Sequence, residues 1–167
     1  DSFKTGEDIP ANLGFEPIPE FDLLMKSGDS RSASVVHEES SAMAKEAFAR
    51  ALNQRKNIVY DATLANLKSA IPLIEAARAQ GYEIRILGVA IRPEVAIERA
   101  AKRALRNGRH INPDILRLAH QGFAAAFEEY VRLADSVRLV DNNGSEPVLV
   151  AEKVNNRFAV QDPNAYA

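Results

Sequence analysis

Residues 57–63 read Asn57-Ile58-Val59-Tyr60-Asp61-Ala62-Thr63, a short apolar run closed by a carboxylate and, two residues on, a hydroxyl. The run has the length and composition of a buried strand, Ile58 to Tyr60. Asp61 and Thr63 then fall at its carboxyl end, where open α/β sheets collect their chemistry. Some forty residues later comes an arginine-rich stretch, Ile97-Glu98-Arg99-Ala100-Ala101-Lys102-Arg103-Ala104-Leu105-Arg106-Asn107-Gly108-Arg109-His110. A carboxylate on a strand end, faced by guanidinium groups from a later helix and loop, is suited to phosphoryl transfer. The acid manages metal and protons while the arginines neutralise the moving phosphoryl group.

Outward from that strand, helices and strands alternate. Apolar positions Val36, Ala42, Met43, Ala47, Phe48, Ala51 and Leu52 predict a helix over about 34–55. A second helix is predicted over about 67–80, stopped by Gly81, with Pro72 hinting at a start nearer Ile71. Residues 83–90 form a nearly continuous apolar run, expected to be a strand buried on both faces, with Arg92 just past its end. Helices over 93–106 and 113–134 and a strand over 136–140 complete the series. Residues 5–30 are broken by prolines and glycines, and the polar stretch from Asn155 is expected to be loosely held. Such alternation predicts right-handed parallel crossovers in an α/β fold, a three-layer α/β/α sandwich with a mainly parallel sheet.

Composition bounds the function. With 167 residues, 46% hydrophobic, the chain has apolar material for one domain with a proper core. A net charge of −2 offers no global basic field for nucleic acid or an anionic membrane. Zero cysteines exclude disulfides and thiolate-bound metal, which fits a cytoplasmic location. No apolar run reaches the ~18 residues of a membrane span.

None of the eight glycines is followed by lysine, so no Gly-x-x-x-x-Gly-Lys-Ser/Thr loop occurs. The chain opens on Asp1 without a methionine, and the expectation is a piece whose first strand and phosphate loop lie upstream.

The set Asp1-Ser2-Phe3-Lys4, then Val36-His37-Glu38-Glu39-Ser40-Ser41 opening a helix, then Asn57 to Thr63, then Ile97-Glu98-Arg99 and Gly108-Arg109, resembles the zeta toxin family over about residues 1–140. That resemblance implies a P-loop kinase fold lacking its first strand and P-loop here, with a kinase domain over 1–154 and a polar tail over 155–167. It implies transfer of the γ-phosphate of ATP or GTP, with Mg2+, to the 3′-hydroxyl of UDP-N-acetylglucosamine. The setting implied is a toxin–antitoxin system, with an antitoxin protein as possible partner, or a chromosomal relative.

Carried over by residue, Asp1 matches the base that takes the proton from the sugar hydroxyl. Glu46 matches an acid lining the sugar site. Asp61 and Thr63 match an acid-x-Thr pair that supports magnesium, indirectly through Asp61, and holds the nucleotide-sugar. Ala62 stands where the family commonly has glycine. Arg99 and Arg109 match arginines on the nucleotide phosphates.

Plain structural readings stand beside these: Asp1 as a helix cap, Glu46 as a surface charge with Arg50 at i,i+4, Asp61 as a turn cap. Arg103 and Arg106 read as solvated helix charges, and His110 and His120 as bystanders. His37, Glu38, Glu39 and Ser40 read as a helix start, because adjacent ligands do not share a helix face. The expectation for the chain alone is inactivity. The alternative function is a binding or interaction module that has lost its phosphate loop.

Overall fold

The computed structural model describes residue 23, residues 37–107 and residues 111–166. Its elements are α1 (His37–Asn53), α2 (Leu67–Ala79), β1 (Arg85–Ala90), α3 (Pro93–Asn107), α4 (Pro113–Leu133), β2 (Ser136–Asp141), β3 (Val148–Val154), β4 (Arg157–Val160) and α5 (Pro163–Tyr166). The chain divides into two compact units, Asp1–Ala62 with Arg99–Asn112, and Thr63–Glu98 with Pro113–Ala167.

The second unit is built on a four-stranded sheet in the order β1-β2-β3-β4. β1 and β2 are parallel, whereas β2–β3 and β3–β4 are antiparallel. The mainly parallel sheet predicted above is therefore not what the described residues form; theirs is mixed, with α/β character retained. The crossover from β1 through α3 and α4 to β2 accounts for the parallel pair, and the 142–147 connection and the turn at Asn155-Asn156 account for the antiparallel ones.

One sheet face is the core face. Ile86 and Gly88 of β1 lie beside Val137 and Leu139 of β2, which lie beside Lys153 and Ala151 of β3. Phe123, Phe127 and Tyr130 of α4 pack into this cluster, and α2 adds Ala70 and Ile74. Gly88 is what lets α4 come close: a Cβ there would meet Leu139 at 2.9 Å and the Phe123 ring at 3.1 Å. The other face is open on β1, with Leu87 67% and Val89 50% exposed. Strand β1 thus alternates in burial and is not covered on both faces as its apolar run predicted.

Local chemistry sets the element ends. Asn66 caps α2 by accepting a hydrogen bond from the Lys68 amide at 3.1 Å. The helix starts at Leu67, so Pro72 sits inside it and removes one helical hydrogen bond without delaying the start. At the far end Gly81 has φ +80, with its amide bonded to Arg78 O and the Tyr82 amide to Ala77 O, a Schellman closure. Asp135 ties the amino ends of the parallel strands, its carboxylate accepting from the Ile84 amide at 2.7 Å.

The stretch beyond Asn155 is more ordered than its polarity predicts. Asn155 and Asn156 have φ of 50 and 60, the geometry of a two-residue type I′ hairpin turn between β3 and β4. The register shift at Leu139/Val140 leaves Val150 as a bulge residue. Its carbonyl accepts from the Gln161 and Asp162 amides at 2.7 and 3.1 Å. Phe158 and Tyr166 both pack their rings near Phe127.

In the first unit, α1 buries Ala47, Phe48, Ala51 and Leu52. Phe48 meets Tyr60 edge-on, with centroids 5.5 Å apart. Ile58–Tyr60, predicted as a buried strand, is not one of the described strands: Val59 alone has bridge pairing and is 61% exposed. A strand exists only through its neighbours, and an apolar run does not by itself supply one.

Candidate active site

Thr63 opens a four-residue loop, 63–66, that runs into α2. Its side chain is exposed, and its hydroxyl accepts a long hydrogen bond, 3.4 Å, from the Ala65 amide. Leu64 has φ 50, a left-handed conformation that a branched side chain disfavours. Two contacts from α4 hold the loop in that shape. The Tyr130 hydroxyl donates to Leu64 O at 2.8 Å. Gly122 presses on Ala65 so closely that a Cβ there would collide with the Ala65 carbonyl oxygen and lie 3.1 Å from its C and Cα. Burial raises the Tyr130 phenol above its ordinary pKa, so the proton it donates to Leu64 O is held more firmly than in a solvated phenol.

A second feature of the same unit lies at the carboxyl ends of the parallel strands. The Asn142 amide bonds to Ala90 O at 2.8 Å, and the Arg92 amide bonds to the Asn143 side-chain oxygen at 2.8 Å. Asp141 fixes Asn143 through its amide at 2.6 Å and its side-chain nitrogen at 2.7 Å. Arg92 is therefore held by its backbone while its guanidinium is exposed.

In the other unit, Glu46 is exposed on α1 and paired with Arg50 at 2.5 Å. The helix positions that point inward are its neighbours Ala47 and Phe48, and Glu46, read both as a sugar-site acid and as a surface charge, lies on the solvent side of α1. Asp61 is exposed, with no hydrogen-bond or ion-pair partner among the described residues. Arg99 is exposed on α3. Asp1 and Arg109 lie outside the described residues. Among the described residues no group of three or more His, Cys, Asp and Glu side chains is gathered as a metal centre. His120, read as a bystander, has a buried Nδ1 without a hydrogen-bond partner.

Sequence reasoning missed Tyr130 and Gly122 as features of the Thr63 loop. A glycine inside an otherwise good helix, Leu118-Ala119-His120-Gln121-Gly122-Phe123, was the available signal, because such a residue usually marks a close backbone approach. Nothing in the sequence pairs Tyr130 with Leu64, 66 positions away.

Among the described residues no helix is long and apolar enough to cross a membrane. No solved structure matches the chain. A curated relative, the "Calmodulin calcium-dependent NAD kinase" of Arabidopsis thaliana, is 26% identical over 176 residues, 80% of this chain. The chain spans 33% of that relative's length. The family described as Zeta toxin matches residues 16–154, most of the sequence and nearly all of the described part. By that match the chain belongs to the zeta toxin family.

Proposed function

We propose that the protein is a kinase that moves the γ-phosphoryl group of ATP or GTP to a sugar hydroxyl, with the 3′-hydroxyl of UDP-N-acetylglucosamine as acceptor. Membership of the zeta toxin family over residues 16–154 carries this reading. The similarity to a protein named as an NAD kinase supports the same type of reaction. Phosphoryl transfer asks mainly for positioning and charge stabilisation, which loop carboxylates, hydroxyls and guanidinium groups supply.

In this reading Asp1 accepts the proton of the acceptor hydroxyl, and Arg99 and Arg109 contact the nucleotide phosphates. Guanidinium groups suit that task because their planar fork matches phosphate oxygens. Glu46, Asp61 and Thr63 hold the acceptor. Asp61, an exposed carboxylate without a partner among the described residues, has the hard-oxygen chemistry that fits a hydrated magnesium ion. Magnesium, when bound, supplies neutralising charge on the phosphate oxygens. A cytoplasmic toxin restrained by an antitoxin protein is the setting this acceptor suggests.

A second reading keeps the reaction and changes the acceptor to NAD, favoured by the activity for which the Arabidopsis relative is named. The deciding experiment uses the protein expressed from its own reading frame, with ATP and magnesium, and measures ADP release with UDP-N-acetylglucosamine or NAD. Release that depends on UDP-N-acetylglucosamine, with 31P NMR locating phosphate on the 3′-oxygen, is the expected result. Release with NAD alone selects the second reading. No release with either, and no ATP binding, refutes the kinase and leaves a binding module. Arg109→Ala is expected to lower turnover by orders of magnitude with an unchanged circular dichroism spectrum; wild-type turnover would remove Arg109 from the reaction.

A further inference from the structure

We propose that Tyr130 and Gly122 of α4 are positioning residues for the Thr63 hydroxyl, acting as a two-point clamp on the 63–66 loop; the proposal rests on the acceptor-binding role given to Thr63 above. The loop would not keep its shape unaided. Its Thr63–Ala65 hydrogen bond is long at 3.4 Å, and Leu64 sits at φ 50, a left-handed conformation that strains a non-glycine residue. Such a conformation persists only where the surroundings over-determine it.

The surroundings here are unusually specific. Tyr130 is 0% exposed, so its ring is fixed by the core and its hydroxyl has one orientation to offer. Phe123 stacks on it, with centroids 6.2 Å apart. That hydroxyl donates to the carbonyl of the strained residue itself, Leu64, next to Thr63. Just over two helical turns back along α4, the missing side chain of Gly122 leaves the space that the Ala65 backbone fills. Glycine in a helix interior is less favourable than alanine, so its presence in α4 is a local sacrifice that the loop explains.

Downstream, the Asn66 cap fixes the loop's other end, since its side chain and carbonyl both engage the first turn of α2. Thr63 is thereby the first residue of a segment whose next three residues are each held by a separate contact. A hydroxyl that must meet a substrate within a few tenths of an ångström needs this kind of support.

A double-mutant cycle separates positioning from mere stability. In the protein expressed from its own reading frame, with ATP and UDP-N-acetylglucosamine, Tyr130→Phe should lower kcat/KM for the acceptor about ten-fold while the KM for ATP stays unchanged. Thr63→Val should lower it at least as much. The double variant should be no worse than Thr63→Val alone, because Tyr130 acts through Thr63. Amide exchange at Leu64 and Ala65 should accelerate in Tyr130→Phe, with α4 still protected.

Gly122→Ala tests the second point without removing any hydrogen-bonding group, and should show the same acceptor-specific loss. Multiplicative losses in the double variant, or wild-type kinetics in both Tyr130→Phe and Gly122→Ala, would overturn the clamp while leaving the kinase reading intact. Wild-type kinetics in Thr63→Val, or no turnover in the unmutated protein, would refute the role of Thr63 and the clamp with it.

Discussion

Lys153 is a buried charge whose removal the structure allows to be worked through. It lies on the core face of β3, 8% exposed, and its ammonium donates to Val131 O at 2.8 Å and Ala134 O at 2.7 Å. Both acceptors belong to the end of α4, where the last carbonyls lack helical partners and the macrodipole is negative. Lys153→Met keeps the stem and deletes the cation. The Ala134 bond is buried, so that carbonyl loses its partner outright, at about 1–3 kcal/mol. The Val131 bond is part-buried, so water replaces much of what is lost. Loss of the cation at the helix terminus adds about 0.3–1 kcal/mol. Relief from burying an ammonium opposes these terms, but two short hydrogen bonds to a cation already offset much of that cost in the native state. The net expectation is a loss of about 2 kcal/mol. Urea unfolding monitored by circular dichroism reads it as a lower midpoint at an unchanged slope. A variant as stable as the native chain would mean that desolvation cancels both bonds, and the reading of Lys153 as a helix-end clamp would be wrong.

Three further expectations follow from single residues. Asn156→Gly should stabilise the β3–β4 hairpin by a few tenths of a kcal/mol, since Asn-Gly is favoured where both turn residues have positive φ; a lower melting temperature would contradict the turn assignment. Burial raises the Tyr60 and Tyr130 pKa values, so the unfolded chain loses its phenol protons first; the stability these groups contribute is complete below about pH 10 and declines as pH rises above it, with tyrosinate absorbance in the folded protein delayed beyond that pH. Glu46→Gln should change stability by less than about 0.5 kcal/mol, because its ion pair with Arg50 is exposed on both sides; a raised acceptor KM supports its proposed role, whereas an unchanged KM returns it to an ordinary helix charge.

Helix periodicity was legible almost to the residue. The sequence predicts helices over 93–106 and 113–134, and the structure has Pro93–Asn107 and Pro113–Leu133. Helical hydrogen bonds are local, so proline starts and apolar spacing carry enough information. Strands behaved differently. The run 85–90 is a strand, yet its face bearing Leu87 and Val89 is exposed, and Ile58–Tyr60 joins none of the described strands. Pairing depends on distant partners, which the residues of one strand do not encode.

The β3–β4 hairpin was less legible: Asn155-Asn156 lies between two segments rich in apolar residues, but the polarity of 155–157 reads equally as a loose tail, and only the left-handed preference of asparagine marks the turn. Thr63 and Asp61 drew their proposed roles from following an apolar run, and the structure shows both exposed. The contacts that hold the 63–66 loop were not legible, since they come from Gly122 and Tyr130 of α4, far along the sequence from Leu64 and Ala65.

The 63–66 loop also explains why Leu64 is not glycine. Glycine would adopt φ 50 without strain and would appear the better choice for the backbone. Leucine, however, packs its side chain against the core cluster of β1, β2 and α4. Full burial of a leucine contributes about 1.5–3 kcal/mol, so the partial burial of Leu64 offsets part of the left-handed penalty. The difference is not neutral in its consequences. Glycine at 64 would leave the loop relaxed but loose, free to swing about a backbone of many conformations. With leucine, the left-handed conformation keeps both the core contact and the Tyr130 bond. A backbone tied to the core from below and to a buried hydroxyl at its carbonyl has little freedom left, and the exposed side chain at its start inherits that rigidity.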